Sequence, residues 1–192
     1  MPKVSEEHLA ARRRQILDAA LVCFSRQGFH QTSMQTIFEE AGLSPGAVYR
    51  YFKGKEEIVE AIAAETLGGF AAAVESGPAG GPGEVLGRLL DAVESVPLRD
   101  QRLRLALQIW GEAIVNPRVG RFVRTAIDRL RERMAAELLV PDPDATARVL
   151  VALAQGMVVQ RDIYGDDFDA EGFRADTVAL LSQPVGASRQ EG

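Results

Sequence analysis

Cysteine and histidine are almost absent from this sequence of 192 residues. It has one cysteine, Cys23, and two histidines, His8 and His30. A single cysteine cannot form a disulfide within the chain, and two histidines leave little material for a zinc site. We therefore expect a fold without metal or cofactor in a reducing compartment.

Long apolar runs are also missing, although 46% of the residues are hydrophobic. The longest candidate, residues 149–159, is interrupted by Gln155 and is too short to cross a bilayer. The N-terminal region has charges where a signal peptide would have its apolar core: Glu6, Glu7, Arg12, Arg13 and Arg14. These features predict a cytoplasmic protein with no membrane partner.

Charge is distributed unevenly along the chain. The formal net charge is -5, yet residues 1–55 contain eight Lys or Arg and five acids, so they carry +3 and the rest carries -8. A basic segment in an acidic protein is compatible with DNA binding, although chance produces swings of this size.

Apolar residues recur at helical spacing throughout, and no segment alternates like a strand. The first stripe, Ile16 to Phe24, predicts a helix over about residues 7–27, with Gly28 as its end and Phe29 folding back on it. Beyond the Gly/Pro run at 76–83, which we interpret as a surface loop, further stripes follow. The pattern predicts an all-α protein of about nine helices with a disordered tail at 183–192.

Two short helices follow the first in quick succession. Thr32 or Ser33 is a candidate cap for one, which ends at Ala41-Gly42-Leu43. Ser44 caps the next, Pro45 occupies its first position, and Val48 and Phe52 point inward. Two helices joined by a tight turn form a helix-turn-helix, whose second helix begins with small residues and can approach a major groove closely.

Residues 32–56 resemble the DNA-binding segment of the TetR family of bacterial transcriptional regulators. The shared pattern is a threonine cap, Ala-Gly-aliphatic-Ser, then Gly, Tyr and Phe, with a Lys three residues further on; the dense match spans about residues 10–65. Phe38 departs from it, because the family usually has alanine there, and the larger ring predicts an altered crossing of the two short helices.

The resemblance implies particular DNA contacts. Phosphate contacts are implied for Thr32, Tyr49, Tyr51 and Lys55, base-reading positions for Gln35, Pro45, Gly46, Ala47 and Arg50, and we add Thr36 and Ser44 to the surface. Packing beside Phe52 is the alternative for the two tyrosines. For Lys55 the alternative is a plain surface charge, but a cation at a helix start is unfavourable and favours a phosphate partner.

The resemblance further implies a homodimeric repressor that binds a palindromic double-stranded DNA operator and is released by a small molecule. We expect a DNA-binding domain at 7–54 and a regulatory domain at 55–182, with dimer contacts near 147–163 and 170–181. The first of these dimer segments is apolar on nearly every side. An apolar or amphipathic, neutral or cationic effector is predicted, with pocket walls from Leu107, Trp110, Ile114, Phe122 and Met157.

Other features of the sequence are weaker indications of function. The spacing of a calcium loop is missing from Asp166, Asp167 and Asp169, which indicate a solvated turn. We interpret Cys23 as a buried hydrophobic residue and His30 as an ordinary loop residue. No Gly-rich phosphate loop or serine elbow is present, so an enzyme is not expected. A helical adaptor or lipid-binding protein with a structural helix-turn-helix is the alternative function.

Overall fold

A computed structural model describes residues 6–96 and 101–182 of the chain. These residues form nine α-helices and no strand; two residues, Gly80 and Leu138, make an isolated bridge. The predicted all-α fold is confirmed, while the tail at 183–192 lies outside the described residues. The helices are α1 (Glu6–Gln31), α2 (Met34–Ala41), α3 (Pro45–Tyr49), α4 (Lys55–Glu75), α5 (Pro82–Ser95), α6 (Gln101–Val115), α7 (Pro117–Ala136), α8 (Pro143–Tyr164) and α9 (Ala170–Ser182).

The described chain divides into two compact units. Residues 6–67 and 101–126 form the first, and 68–96 and 127–182 the second. This division differs from the predicted boundary between residues 54 and 55, because α6 packs against α1 and shares its core through Leu105 and Ile109. The N-terminal helices of the first unit therefore complete their core with α6, a helix that lies much later in the sequence.

The first unit is built on the predicted apolar face of α1. Ile16, Leu17, Ala20, Leu21 and Phe24 are all buried, as the spacing predicts. Gly28 has φ 79° and ψ 167°, which interrupts the helical backbone, and the chain makes one more turn before α1 ends. Phe29 is buried and its ring lies 5.8 Å from that of Phe24, so it folds back as expected.

The second unit packs α5 against α8 and α9. Gly83 permits the approach of α9, since a Cβ there would lie 3.2 Å from the Val178 carbonyl oxygen. Pro82 and Gly83 belong to the first turn of α5, so the predicted Gly/Pro loop is two residues shorter than expected. Buried Arg161 donates to the Val93 and Val96 carbonyl oxygens and fixes the end of α5 to α8.

Helix α8 has two different sides. Leu150, Ala154 and Met157 are buried, whereas Val149 is 54% and Ile163 70% exposed. The expectation that this helix is buried all round is thus met on one side only within the chain. None of the described helices is long and apolar enough to cross a membrane.

Candidate nucleic-acid interface

The turn between α2 and α3 has the predicted local chemistry. Gly42 ends α2 in the left-handed region at φ 63°, where a side chain would be strained, and its N–H donates to the Glu39 carbonyl oxygen. Ser44 caps α3, its Oγ accepting from the Ala47 N–H at 3.3 Å, and Pro45 follows as the first helical residue. The two short helices are therefore held at a tight, well-satisfied turn.

Helix α3 presents its first residues to solvent. Val48 has no exposed surface and Phe52 is buried, so these two anchor the helix in the core. A Cβ added to Gly46 would meet nothing within 4 Å, which leaves this side of α3 open to a close partner. Seven of the predicted DNA contacts are exposed and lie on α2, on α3 or beside them: Gln35, Ser44, Pro45, Gly46, Tyr49, Arg50 and, partly, Ala47.

Arg50 is the cation most available on this surface. Its side chain is exposed and makes no ion pair or hydrogen bond with any residue the structure describes. On α2, Gln35 donates to Glu39 at 2.8 Å, and half-buried Thr36 lies 2.9 Å from the Ser33 hydroxyl. A free guanidinium next to small residues is suited to reading a guanine edge or binding a phosphate.

Phe38 packs between the two short helices. It is buried, and its ring meets that of Tyr49 edge to face at a centroid distance of 5.3 Å. Tyr49 remains 43% exposed, whereas Tyr51 is half-buried against the core of the first unit. The Phe38 ring, at the position where the family usually has alanine, thus packs against the Tyr49 ring and leaves the rest of Tyr49 at the surface.

Thr32 does not lie at the surface as the resemblance implies. It is 1% exposed, and its hydroxyl donates to the Gly28 carbonyl oxygen at 2.7 Å. Ser33 is the residue that caps α2, accepting from the Thr36 N–H at 3.1 Å, and it is exposed. The phosphate contact predicted for Thr32 is therefore not available, and Ser33 is the hydroxyl presented at that position.

Lys55 is engaged inside the protein. Its ammonium donates to the carbonyl oxygens of Phe29 at 2.8 Å, His30 at 3.3 Å and Thr32 at 3.2 Å. It also lies 4.4 Å from the centre of the Phe29 ring. An ammonium has three donors, so this arrangement uses all of them, and a phosphate contact by Lys55 would require some of them to be given up.

Part of the basic excess of residues 1–55 is likewise paired within the first unit. Arg13 contacts Glu65 at 2.6 Å and lies 5.3 Å from the centre of the Phe52 ring, and Arg26 pairs with Glu40 at 3.2 Å. Sequence reasoning missed these contacts because partners far apart in the chain leave no local spacing signal. The charge available for DNA is concentrated at fewer residues than the count suggests.

His30 also has a partner that the sequence did not indicate. Its Nε2 lies 2.5 Å from Oε2 of buried Glu112. The other Glu112 oxygen accepts from Asn116 at 2.9 Å. His30 therefore links the turn before α2 to the end of α6 and is more than a loop residue.

Cys23 is buried, as predicted. Burial raises the pKa of its thiol above the ordinary value, and nearby Glu40 raises it further. A thiol that resists ionisation is a poor nucleophile. In the second unit, Asp166 and Asp167 lie on an exposed 3-10 turn, and Asp169 accepts from the Gly172 N–H at the start of α9.

The five residues predicted to wall a pocket have different surroundings. Leu107, Trp110 and Phe122 are half-buried in the first unit. Ile114 is 86% exposed, while Met157 has no exposed surface and packs in the second unit. Exposure does not test the pocket, so all five assignments stay predictions.

Comparison with known proteins agrees with the helix-turn-helix geometry. Residues 16–62 match the model of "Bacterial regulatory proteins, tetR family", and residues 82–183 match "BetI-type transcriptional repressor, C-terminal". The HTH-type transcriptional repressor Rv1474c of Mycobacterium tuberculosis is 32% identical over 178 residues, which cover 87% of this chain and 90% of that protein.

Solved structures show the same architecture. GusR of Salmonella enterica superposes with a TM-score of 0.75 at 26% identity, covering 94% of this chain and 100% of that one. A transcriptional regulator from Saccharomonospora viridis, solved in complex with choline, superposes with a TM-score of 0.69 at 22% identity, covering 90% and 96%. The chain belongs to the TetR family of bacterial transcriptional regulators.

Proposed function

We propose that this regulator is a dimeric repressor that leaves its operator when a small molecule binds. The open face of α3, with Gly46 unobstructed and Arg50 unpaired, is the observation that carries DNA binding. The repressor role is supported by the printed names of the C-terminal family model and of the mycobacterial relative. Membership of a family of regulatory proteins favours this function over a helical adaptor.

In this proposal α3 enters the major groove. Arg50 and Gln35 read base edges, and Tyr49 and Ser33 bind phosphates on either side. Selection of duplexes from a random pool by the purified protein tests this, with binding measured by fluorescence anisotropy. A palindromic consensus with half-sites about one helical turn or a multiple apart supports the proposal. A protein that enriches no sequence contradicts it.

The dimer is supported by an exposed apolar stripe on α8. Val149, Ala152, Gly156, Val159 and Ile163 recur at spacings of three and four residues on one side of the helix. Val159 is 36% and Ile163 70% exposed, and Leu180 of α9 is 69% exposed. A second copy of the same stripe, related by a two-fold axis, would cover it, and the small residues at its centre allow close approach.

A charge in the stripe tests the dimer. Ile163→Glu should convert a dimer to a monomer in sedimentation velocity, because an unpaired carboxylate would be buried at the interface. Ala136→Glu, at an exposed position at the end of α7, is the control that should remain dimeric. Val151, which is 5% exposed within its own unit, is unsuitable since a charge there would disrupt folding. A stable monomer in the unmodified protein contradicts the dimer.

The effector we propose is an apolar or amphipathic molecule that is neutral or cationic. Half-buried Leu107 and Trp110 lie on α6, and Oε1 of Gln108 between them is buried with no hydrogen-bond partner among the described residues. An unsatisfied buried acceptor on this helix suits a ligand that donates a hydrogen bond. The choline complex of the Saccharomonospora viridis protein is one example of a cationic ligand on this fold.

Thermal-shift screening of neutral and cationic amphiphiles, followed by DNA release with each hit, tests the effector. A true effector should quench the fluorescence of Trp110, the single tryptophan, and bind more weakly when DNA is present. Compounds that stabilise the protein but bind equally well with and without DNA contradict the proposed release.

A further inference from the structure

The first half of α7 carries a concentration of positive charge. Arg118, Arg121 and Arg124 are exposed and lie three residues apart, which places them on one side of the helix. No acid occurs between residues 113 and 127, although the whole chain has 27 acids against 22 basic residues. We call these three residues the arginine face.

The arginine face is not neutralised within the protein. None of its three side chains forms an ion pair or hydrogen bond with any residue that the structure describes, whereas further along α7 Arg131 pairs with Asp128 at 3.2 Å and Arg133 with Glu75 at 3.5 Å. The first turn of α7 also has no acid, so Arg118 in that turn stands against the helix dipole. Such an arrangement is stabilised by an external anion.

The corner before the arginine face is fixed to the DNA-binding segment within the first unit. Asn116 accepts from the Arg118 N–H at 3.1 Å and donates to Glu112, which contacts His30. His30 is three residues before Ser33, the exposed cap of α2. Val119, one turn into α7, is buried in the same core as Phe29. The arginine face therefore begins at a corner that is linked through Glu112 and His30 to the chain just before α2.

We infer that the arginine face binds the phosphate backbone of DNA beside the bases read by α3. The inference rests on the proposed function, because it extends the same DNA-binding surface. Phosphates match guanidinium groups in charge and geometry, and they need no particular sequence. Because the protein as a whole is acidic, contacts outside the reading helix offset part of the repulsion from flanking DNA.

The test compares two triple variants on one duplex. Arg118→Gln/Arg121→Gln/Arg124→Gln removes the arginine face, and Arg129→Gln/Arg131→Gln/Arg133→Gln removes the same charge from the second half of α7. Duplexes selected by the unmodified protein are used in a short form and with added flanking base pairs. Circular dichroism melting establishes that each variant is folded.

Loss of the arginine face should make the negative slope of log affinity against log salt shallower. Its magnitude should fall by about 0.9 for each lost contact, and by no more than about 3 in total. It should also abolish the gain in affinity from flanking base pairs, while the control variant keeps both. Equal slopes for the arginine-face variant and the unmodified protein would overturn the inference. A change in sedimentation without a change in slope would also overturn it, since the face would then bind a protein. If the unmodified protein selects no duplex, the proposed function fails and this inference with it.

Discussion

Polar side chains at α3 and at the start of α4 have opposite surroundings, although both belong to the segment that resembles the TetR family. Arg50, at the end of α3, has no partner among the described residues. Lys55, at the first position of α4, donates to three carbonyl oxygens of the turn before α2. The resemblance implies a DNA contact for both, but only the first has donors free for DNA.

The difference shows that a residue in a DNA-binding motif can support the surface instead of touching the ligand. The carbonyl oxygens of Phe29 and His30 end the last turn of α1, and that of Thr32 precedes the α2 cap. A cation in contact with all three fixes the direction in which α2 begins. Hydrogen bonds to charged groups contribute about 1.5 to 3 kcal/mol, so Lys55 would give up that contribution on moving to a phosphate.

The largest effect is expected from Phe38→Ala, which removes the ring that supports Tyr49. Truncating a buried phenylalanine costs about 3 to 5 kcal/mol of folding free energy. Denaturant unfolding followed by Trp110 fluorescence, which reports on the first unit, measures this loss. Phe38→Leu is the control and should lose far less. A loss below about 1 kcal/mol for the alanine variant would show that the two short helices close over the gap.

Arg50→Ala tests the residue of the pair whose donors are free for DNA. If Arg50 reads a guanine, its loss should cost about 1 to 3 kcal/mol of binding and relax preference at one base position. Because the side chain has no internal partner, folding stability should stay the same. Selection with the variant protein shows which base position loses its preference. A uniform loss across all sequences would instead assign Arg50 to the phosphate backbone.

Gly46→Ala separates approach to DNA from folding. Alanine is favoured over glycine in a helix by up to about 1 kcal/mol, and a Cβ here meets nothing, so thermal stability should rise slightly. DNA affinity should fall because the methyl group projects from the open side of α3. Gly42→Ala is the matched control and should destabilise the protein, since φ is 63° there. Unchanged DNA affinity in Gly46→Ala would mean that α3 approaches DNA by another side.

Local rules predicted most of the fold. Helical spacing, the Gly42 helix end and the Ser44-Pro45 helix start are short-range features, and each is found as expected. Gly28 interrupts the helical backbone as expected, but α1 continues to Gln31. The division into two units differs from the predicted boundary between residues 54 and 55, because the packing of α6 on α1 joins residues far apart in sequence. Ser33 and Thr32 were both candidates for the α2 cap, and only the backbone geometry distinguishes them.

The candidate site was predictable where residues face outward and less so where they bind the chain itself. Small residues at the start of α3 follow from the sequence alone. The Lys55 and His30 contacts depend on how the end of α1 meets α4 and α6, which no local spacing records. Ile114 and Met157 illustrate the same limit, because helical spacing does not say whether an apolar side chain meets solvent, a ligand or the core.

The salt dependence of DNA binding by Lys55→Ala tests the distinction between reading and supporting residues most directly. If Lys55 supports the turn, the variant melts at a lower temperature and loses affinity by the same factor at every salt concentration, leaving the slope unchanged. Lys53→Ala, at an exposed position two residues earlier, should melt like the unmodified protein. A slope for Lys55→Ala that is shallower by about 0.9, with an unchanged melting temperature, would contradict the account, because it would show that the ammonium binds a phosphate.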